Sequence, residues 1–397
     1  MRRFAVAAFV FLALRIALLF ARQPFFDEVF TVWITAKPFA GVLHALRQDS
    51  GPPLYYFLIH ALALHSVIAM RVVSLVCACV TLWLLRERGF AALLFAVFPP
   101  AVLFAVDARA YAMCAMFVTI GVLALDKDRY DVAAVAFVFA AYSHYYGFLF
   151  FPLLIKHWRA LVLALVAFAP GLWLAFQQPR AATEWINGAW PDALFARPPI
   201  ALIAILALAS LVAVIRWNRF TTMTIVPIGF ALILTLAGRP IYLPLRFESI
   251  IAIPLLLAIA SSLSGAAAPS PPRTAVISIF VATSLLITAL AIEDHASREQ
   301  DAYRAAALWT KRINAPIVAS GYCYLETAVA RDNVTAFPKE QANHPGWRIN
   351  ASEGSPQPQG TFYWIGERGA PELEILRRTR KVQPIYVNAR ALVARVM

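Results

Sequence analysis

The first 292 residues are filled by apolar runs separated by short polar breaks, and that succession restricts the fold more than any single motif. The runs occupy roughly 4–20, 66–85, 91–106, 110–125, 131–143, 145–155, 160–176, 199–215, 221–238, 247–262 and 274–291. Measured against the roughly 20 residues that a helix needs to cross a bilayer, they predict about eleven spans. Composition agrees: 61% of residues are hydrophobic and 14% charged, with a mean hydropathy of +0.68, whereas a soluble domain is about a quarter charged. The predicted class is an α-helical polytopic membrane protein. After Ile292 the character changes. Charge returns, a helix is predicted around Ala302 to Ile313, and β-like runs stand at Ile317 to Ser320, Thr361 to Ile365 and Lys381 to Val387. The expected organisation is a membrane domain over 1–292, whose first external loop is 21–65 and holds interfacial helices, and a small external α/β domain over 293–397.

The net charge of +13 is spread between apolar segments rather than gathered in one stripe, which suits anionic lipid headgroups and excludes nucleic acid as the partner. Those basic residues also orient the chain. Arg2 and Arg3, Arg86 to Arg88, Lys127 with Arg129, Lys156 to Arg159, Arg216 to Arg219 and Arg273 all fall on the cytoplasmic side under two assumptions. The segment 53–64, with Tyr55, Tyr56 and His60, lies along the outer interface without crossing, and the chain reverses in a hairpin at Tyr142-Ser143-His144. The first run ends Leu19-Phe20-Ala21-Arg22, without the small residues that a signal peptidase needs, so an uncleaved first span with a cytoplasmic N-terminus is expected. Of the four cysteines, Cys77, Cys79 and Cys114 sit inside apolar runs and Cys323 stands alone, so neither a disulfide framework nor a zinc pattern follows.

Just beyond the first span, Phe25-Phe26-Asp27-Glu28 sets two carboxylates at membrane level, where ionisable groups are functional candidates by default. A carboxylate there can act as a general base, and its aromatic neighbours Phe26, Phe30 and Trp33 are expected to raise its pKa toward the working pH. The competing reading makes both acids ordinary first-turn residues of an interfacial helix. Further segments share the external face: Asp49-Ser50-Gly51-Pro52-Pro53-Leu54-Tyr55-Tyr56, Asp107-Ala108-Arg109-Ala110-Tyr111, Ser143-His144-Tyr145-Tyr146, and Leu243-Pro244-Leu245-Arg246-Phe247-Glu248. Singly, each has a plain structural explanation, a helix start, a snorkelling arginine or a turn histidine.

Taken together and in this order, the segments resemble the bacterial family 39-like glycosyltransferases of the GT-C superfamily, relatives of protein mannosyltransferases and aminoarabinose transferases. The resemblance runs from Arg15 to about Ala260. There are departures: Leu64-His65 stand where the family has Phe-Gly ahead of the arginine matched by Arg71, Asp107 replaces a glutamate, and Phe247 replaces a tyrosine. The resemblance implies a GT-C fold and an inverting transfer of a sugar from a polyprenyl phosphate to an acceptor hydroxyl on a lipid, glycan or protein, outside a bacterial inner membrane. It implies Asp27 and Glu28 as the catalytic pair, Asp27 as the base and Glu28 as its positioning neighbour. Arg109 and Arg246, then His144, Tyr145 and Lys37, would meet the donor phosphate, while Asp49, Asp107, Tyr55 and Tyr111 would orient the acceptor or the arginines. The scheme needs no cofactor and no metal. Two other activities suit a chain of this kind: a flippase for lipid-linked sugars, which the lack of duplicated halves disfavours, and an oligosaccharide ligase or polymerase, which generally carries its chemistry in a large late loop.

Overall fold

The computed structural model describes residues 2–179, 217–238, 241–243, 245–264, 278, 280–289, 302–339 and 357–397. The span expected at 199–215 and part of that at 274–291 lie outside the described residues. Along the chain, α1 (Arg2–Ala21) is followed by three short helices, α2 (Phe26–Thr35), α3 (Phe39–Leu46) and α4 (Leu54–Ala61). Then come α5 (Val67–Leu84), α6 (Gly89–Val97), α7 (Pro99–Leu103), α8 (Tyr111–Asp126) and α9 (Tyr130–Ser143). A 3₁₀ run (Tyr145–Leu154) leads to α10 (Trp158–Gln177), α11 (Arg219–Leu236), α12 (Arg246–Ser264) and α13 (Phe280–Ala289). Among the described residues four of these helices, α1, α5, α10 and α11, are long and apolar enough to cross a membrane, or five spans if the bent pair α6–α7 counts as one. The chain is a multi-pass membrane protein.

The run 91–106, expected as one straight span, is broken and bent by 72°. Pro99-Pro100 cause the break. A residue before proline is pushed out of the helical region, and Phe98 accordingly sits at φ −62°, ψ 117°. The carbonyls stranded there are taken up by a cation from another helix: fully buried Arg15 of α1 donates to Ala96 O at 2.8 Å, Phe95 O at 3.3 Å and Ala101 O at 3.0 Å. An arginine at that depth is tolerated because it is spent on backbone that has no other partner.

Two expectations about the short segments, that 53–64 does not cross and that the chain reverses at Tyr142-Ser143-His144, match the geometry. With 8 residues, α4 is about 12 Å long and cannot cross. At His144 the backbone leaves the helix (φ −151°, ψ 137°) and the chain doubles back, so that Phe137 and Phe150 lie 5.6 Å apart where a continuous helix would hold them about 20 Å apart. Gly147 makes the reversal possible, since a Cβ there would stand 2.3 Å from the Ala140 carbonyl carbon.

At one end of the helical body Arg219 bonds to Asp128 at 2.6 Å and to the carbonyls of Leu125 and Asp126, and Arg88 pairs with Asp126. The opposite end carries α2, α4 and the segment 107–110.

The C-terminal residues form α14 (Ala302–Trp309), β1 (Ile317–Ala319), α15 (Tyr322–Ala330), β2 (Val334–Ala336), β3 (Phe362–Glu367), α16 (Pro371–Thr379), β4 (Val382–Val387) and β5 (Ala391–Val396). The sheet order is β2-β1-β3-β5-β4, parallel over its first three strands and antiparallel beyond. One face packs on α14 and α15 through Ala306, Ala307, Ile365 and Val393; the other buries Trp364 and Leu392 with Leu373 and Leu376 of α16. The three strands and the helix read from sequence are present. Strands β2 and β5 and helices α15 and α16 are additions. Gly321, at φ +59° and ψ −141°, a conformation open to glycine, turns the chain from β1 into α15. Helix α15 then meets α2: Tyr322 packs edge-on to Phe26 at 4.8 Å, and Leu325 is buried in the helical core.

Candidate active site

Asp27 and Glu28 are neighbours in the first turn of α2, and successive helical residues diverge by about 100°. They therefore face different partners. Glu28 points inward and is wholly buried. Both its oxygens are held by Arg71, Nε to Oε1 at 2.7 Å and Nη2 to Oε2 at 2.5 Å; Oε1 also accepts the Ala108 N–H at 2.9 Å and Oε2 the Phe25 N–H at 3.3 Å. Arg71 spends its remaining N–H groups on the carbonyls of Leu19, Arg22 and Gln23. Glu28, grouped with Asp27 from sequence as its positioning neighbour, has a carboxylate that joins α1, α2, α5 and the segment before α8, with no face open to a substrate. Arg71 and the Ala108 amide are the partners that sequence reading did not supply.

The same frame fixes the other arm of the site. Thr31 donates to Ala108 O at 2.9 Å and Ser74 to Arg109 O at 3.2 Å, which brings the Arg109 side chain over α2. Its Nη1 donates to Tyr56 Oη at 2.8 Å and reaches the Asp27 carbonyl at 3.5 Å. Arg246, the first residue of α12, donates Nη2 to Asp27 Oδ2 at 2.9 Å with both side chains about a quarter exposed. Tyr111 lies 5.9 Å beneath the Arg246 guanidinium and 5.1 Å from the His144 ring. Asp27, Arg109, Arg246, Tyr111, His144 and Tyr56 thus converge from five parts of the chain. Arg246 bonds the Asp27 carboxylate and Arg109 acts on it through its charge, while Asp49 and Asp107 bring further negative charge to Arg109 and Arg246.

The neighbouring arginines set the Asp27 carboxyl. Burial raises it, but the charges of Arg109 and Arg246, the Arg246 hydrogen bond and the more distant Arg22 outweigh burial and hold it below the ordinary aspartate value. The sequence expectation ran the other way, because the aromatic neighbours are visible locally while Arg109 and Arg246 arrive from 82 and 219 residues away. His144 is moved by burial first, with Arg109 and Arg246 adding, down to about 3. Its imidazole is neutral, and the Tyr146 N–H donates to Nδ1 at 3.2 Å, leaving the proton on Nε2. His144 is therefore a neutral donor beside the arginines rather than a third cation.

The remaining candidates make other contacts. Asp107, expected to orient the acceptor or the arginines, is buried in an ion pair with Arg22, whose guanidinium also caps Leu103 O, and its charge reaches Arg246 and Tyr111 of the cluster. Tyr55 is wholly buried, with its hydroxyl on Met70 O and Ser74 Oγ at 3.3 Å each, so it faces no acceptor. Tyr145 donates to Gln178 Oε1 at 3.0 Å, and Gln178 in turn donates to the carbonyls of Leu46 and Gly51; the pair braces the loop that bears Asp49. Lys37 lies beyond the far end of α2, about 15 Å along its axis from Asp27, with its ammonium 3.9 Å over Trp33. Among the described residues no group of three His, Cys, Asp or Glu side chains stands together as a metal site. Tyr56 is the member of the cluster that the sequence signalled only as the last letter of a motif.

Two solved structures share this architecture. ArnT from Cupriavidus metallidurans in the apo state matches with a TM-score of 0.60 at 11% identity, and the same protein bound to undecaprenyl phosphate with 0.62 at 12%; each match covers 98% of this chain and 96% of that one. No family model and no curated protein matches the sequence. At such identity the likeness is one of fold. The chain has the GT-C membrane fold of ArnT over nearly its whole length, the architecture that the ordered segments from Arg15 onward imply.

Proposed function

We propose that this protein is an inverting glycosyltransferase that moves a sugar from a polyprenyl phosphate to an acceptor hydroxyl at the external face of a bacterial inner membrane, with the N-terminus cytoplasmic and the C-terminal sheet outside. The observation that carries the reading is the Asp27 carboxylate bonded by Arg246 and under the charge of Arg109, in a bundle with the ArnT fold. In this scheme the donor phosphate takes the two arginines through charge-assisted bonds, with the His144 Nε2–H as a neutral donor at the edge. Their charge is then spent on the phosphate, and the Asp27 carboxyl returns toward its ordinary pKa, where it is a better proton acceptor. The acceptor O–H gives its proton to Asp27 as its oxygen attacks the anomeric carbon. The C1–O bond to phosphate breaks with its electron pair going to the phosphate, and the configuration at C1 inverts. The leaving group needs no proton. Donor binding thus prepares the base, so the donor binds first.

The test is transfer by the purified chain in nanodiscs with undecaprenyl-phosphate sugars as donors and extracted envelope lipids and glycans as acceptors. A new glycosidic product of inverted configuration, released with undecaprenyl phosphate, supports the reading. Movement of intact lipid-linked sugar across a vesicle bilayer with no product would replace it with a flippase.

A further inference from the structure

The C-terminal sheet carries a second place built to hold a ligand, at the opposite end of β1 from Tyr322. Helix α14 covers one face of the sheet through Ala306 and Ala307 and stops at Trp309, whereas the strands run on by a further row. That row is Tyr363 of β3, Arg395 of β5 and Gln383 of β4, which are register partners. On β5 the alternate residues Ala391 and Val393 are buried under the helix-covered face. The same alternation sets Arg395 where a third apolar residue would be expected. An interior strand therefore presents an exposed guanidinium from the floor of the sheet.

Opposite stands the connection from α14 to β1, bearing Trp309, Arg312 and Asn314. Arg331 fixes this wall: its Nη1 donates to Thr310 O at 2.9 Å and Ile313 O at 2.8 Å, and its Nη2 to Ala315 O at 2.9 Å. The Trp309 ring is set by stacking on Tyr386 at 5.1 Å. Between wall and floor lies an open groove of about 580 Å³ with no acidic residue in its lining, a size within the range of small-molecule sites. Neither Arg312 nor Arg395 enters an ion pair among the described residues.

Two uncompensated guanidinium groups ask for an anion, flat aromatic faces ask for a ring, and the Asn314 and Gln383 amides match hydroxyl groups that both donate and accept. We propose that this groove binds an acidic saccharide, a sugar chain bearing carboxylate or phosphate groups. The site stands apart from the Asp27 cluster and does not depend on the transfer reading.

The experiment is calorimetric titration of the full chain, in nanodiscs of zwitterionic lipid so that anionic headgroups do not compete, with trigalacturonate as probe and maltotriose and inorganic phosphate as comparators. Trigalacturonate is expected to bind, to weaken about tenfold or more in Arg395→Ala and in Arg312→Ala, and to be unchanged in Asp27→Asn; thermal unfolding confirms that the exposed substitutions leave the fold intact. Absence of binding, equal binding of maltotriose, equal binding of inorganic phosphate, or indifference to both arginine substitutions each overturns the proposal.

Discussion

Asp27 and Glu28 are the same chemistry one residue apart, each paired with an arginine, and they end in opposite circumstances. The Glu28–Arg71 pair has side-chain exposures of 0% and 2%, the Asp27–Arg246 pair 26% and 28%. Within the first pair every hydrogen-bonding position is taken by protein. In the second, Asp27 Oδ1 and most of the guanidinium edge have no hydrogen-bond partner among the described residues. Adjacent acids in a first helical turn thus divide the work, one holding the helix in place and the other turned to the cleft. The frame precedes the chemistry, because the Glu28 contact to Ala108 is what presents Arg109 to Asp27.

The largest effect should come from breaking the frame. Arg71→Ala leaves a buried carboxylate without its cation and is expected to cost about 3–5 kcal/mol, read as loss of folded protein or a lowered unfolding temperature in detergent; Glu28→Ala should behave alike from the other side. A stable, monodisperse Glu28→Ala protein that has lost only turnover would return Glu28 to the chemistry. Next in size is Asp27→Asn. It keeps the shape, and the pair it disrupts is partly solvated, so unfolding should shift little while transfer falls by about 10² or more. Near wild-type turnover in that variant would take the base assignment from Asp27.

The comparison also shows where sequence reading stops. Asp27, Arg109, His144 and Arg246, which the structure brings together, were legible as an ordered set because each stands in a polar break between apolar runs, a local pattern. The strands at 317–319, 362–367 and 382–387 were legible for the same reason. Which acid does which task was not, since it depends on Arg71 and Ala108, 43 and 80 residues distant. Asp107 was assigned an orienting role by resemblance alone, because its pairing with Arg22, 85 residues away, is set by the fold and not by any local pattern. Strand β5 was hidden by Ala391, Ala394 and Arg395, whose place in the sheet is decided by neighbours rather than propensity.

Of moderate size is the effect of removing one cation. Arg246→Ala is expected to weaken binding of undecaprenyl-phosphate sugar about tenfold, about 1.4 kcal/mol, and to leave the unfolding temperature nearly unchanged, in contrast with Arg71→Ala. Unaltered donor affinity in a direct binding measurement would place the phosphate elsewhere and leave Arg246 as a tether for Asp27 alone.

The smallest expected effect is a displacement of a pH profile, and it separates the two carboxylates most finely. A general base must be ionised, so the rate at low substrate falls as pH drops through the pKa of the free protein. For Asp27 that pKa is held below the ordinary aspartate value by the neighbouring arginines, which puts the acid limb beneath the usual aspartate range; His144, neutral above about 3, adds no inflection between about pH 5 and 8. Arg246→Ala removes one of the charges that outweigh burial together with its hydrogen bond, so the limb should move upward in that variant and in Arg109→Ala, while His144→Gln should leave its position nearly unchanged. Arg71 lies on the Glu28 side of the helix and is not among the groups that set the Asp27 carboxyl. A conservative Arg71→Lys protein that still folds should therefore keep the wild-type limb while losing stability. If instead its limb shifted as far as that of Arg246→Ala, the frame and the cleft would be one electrostatic unit, and the division of labour between Glu28 and Asp27 would fail.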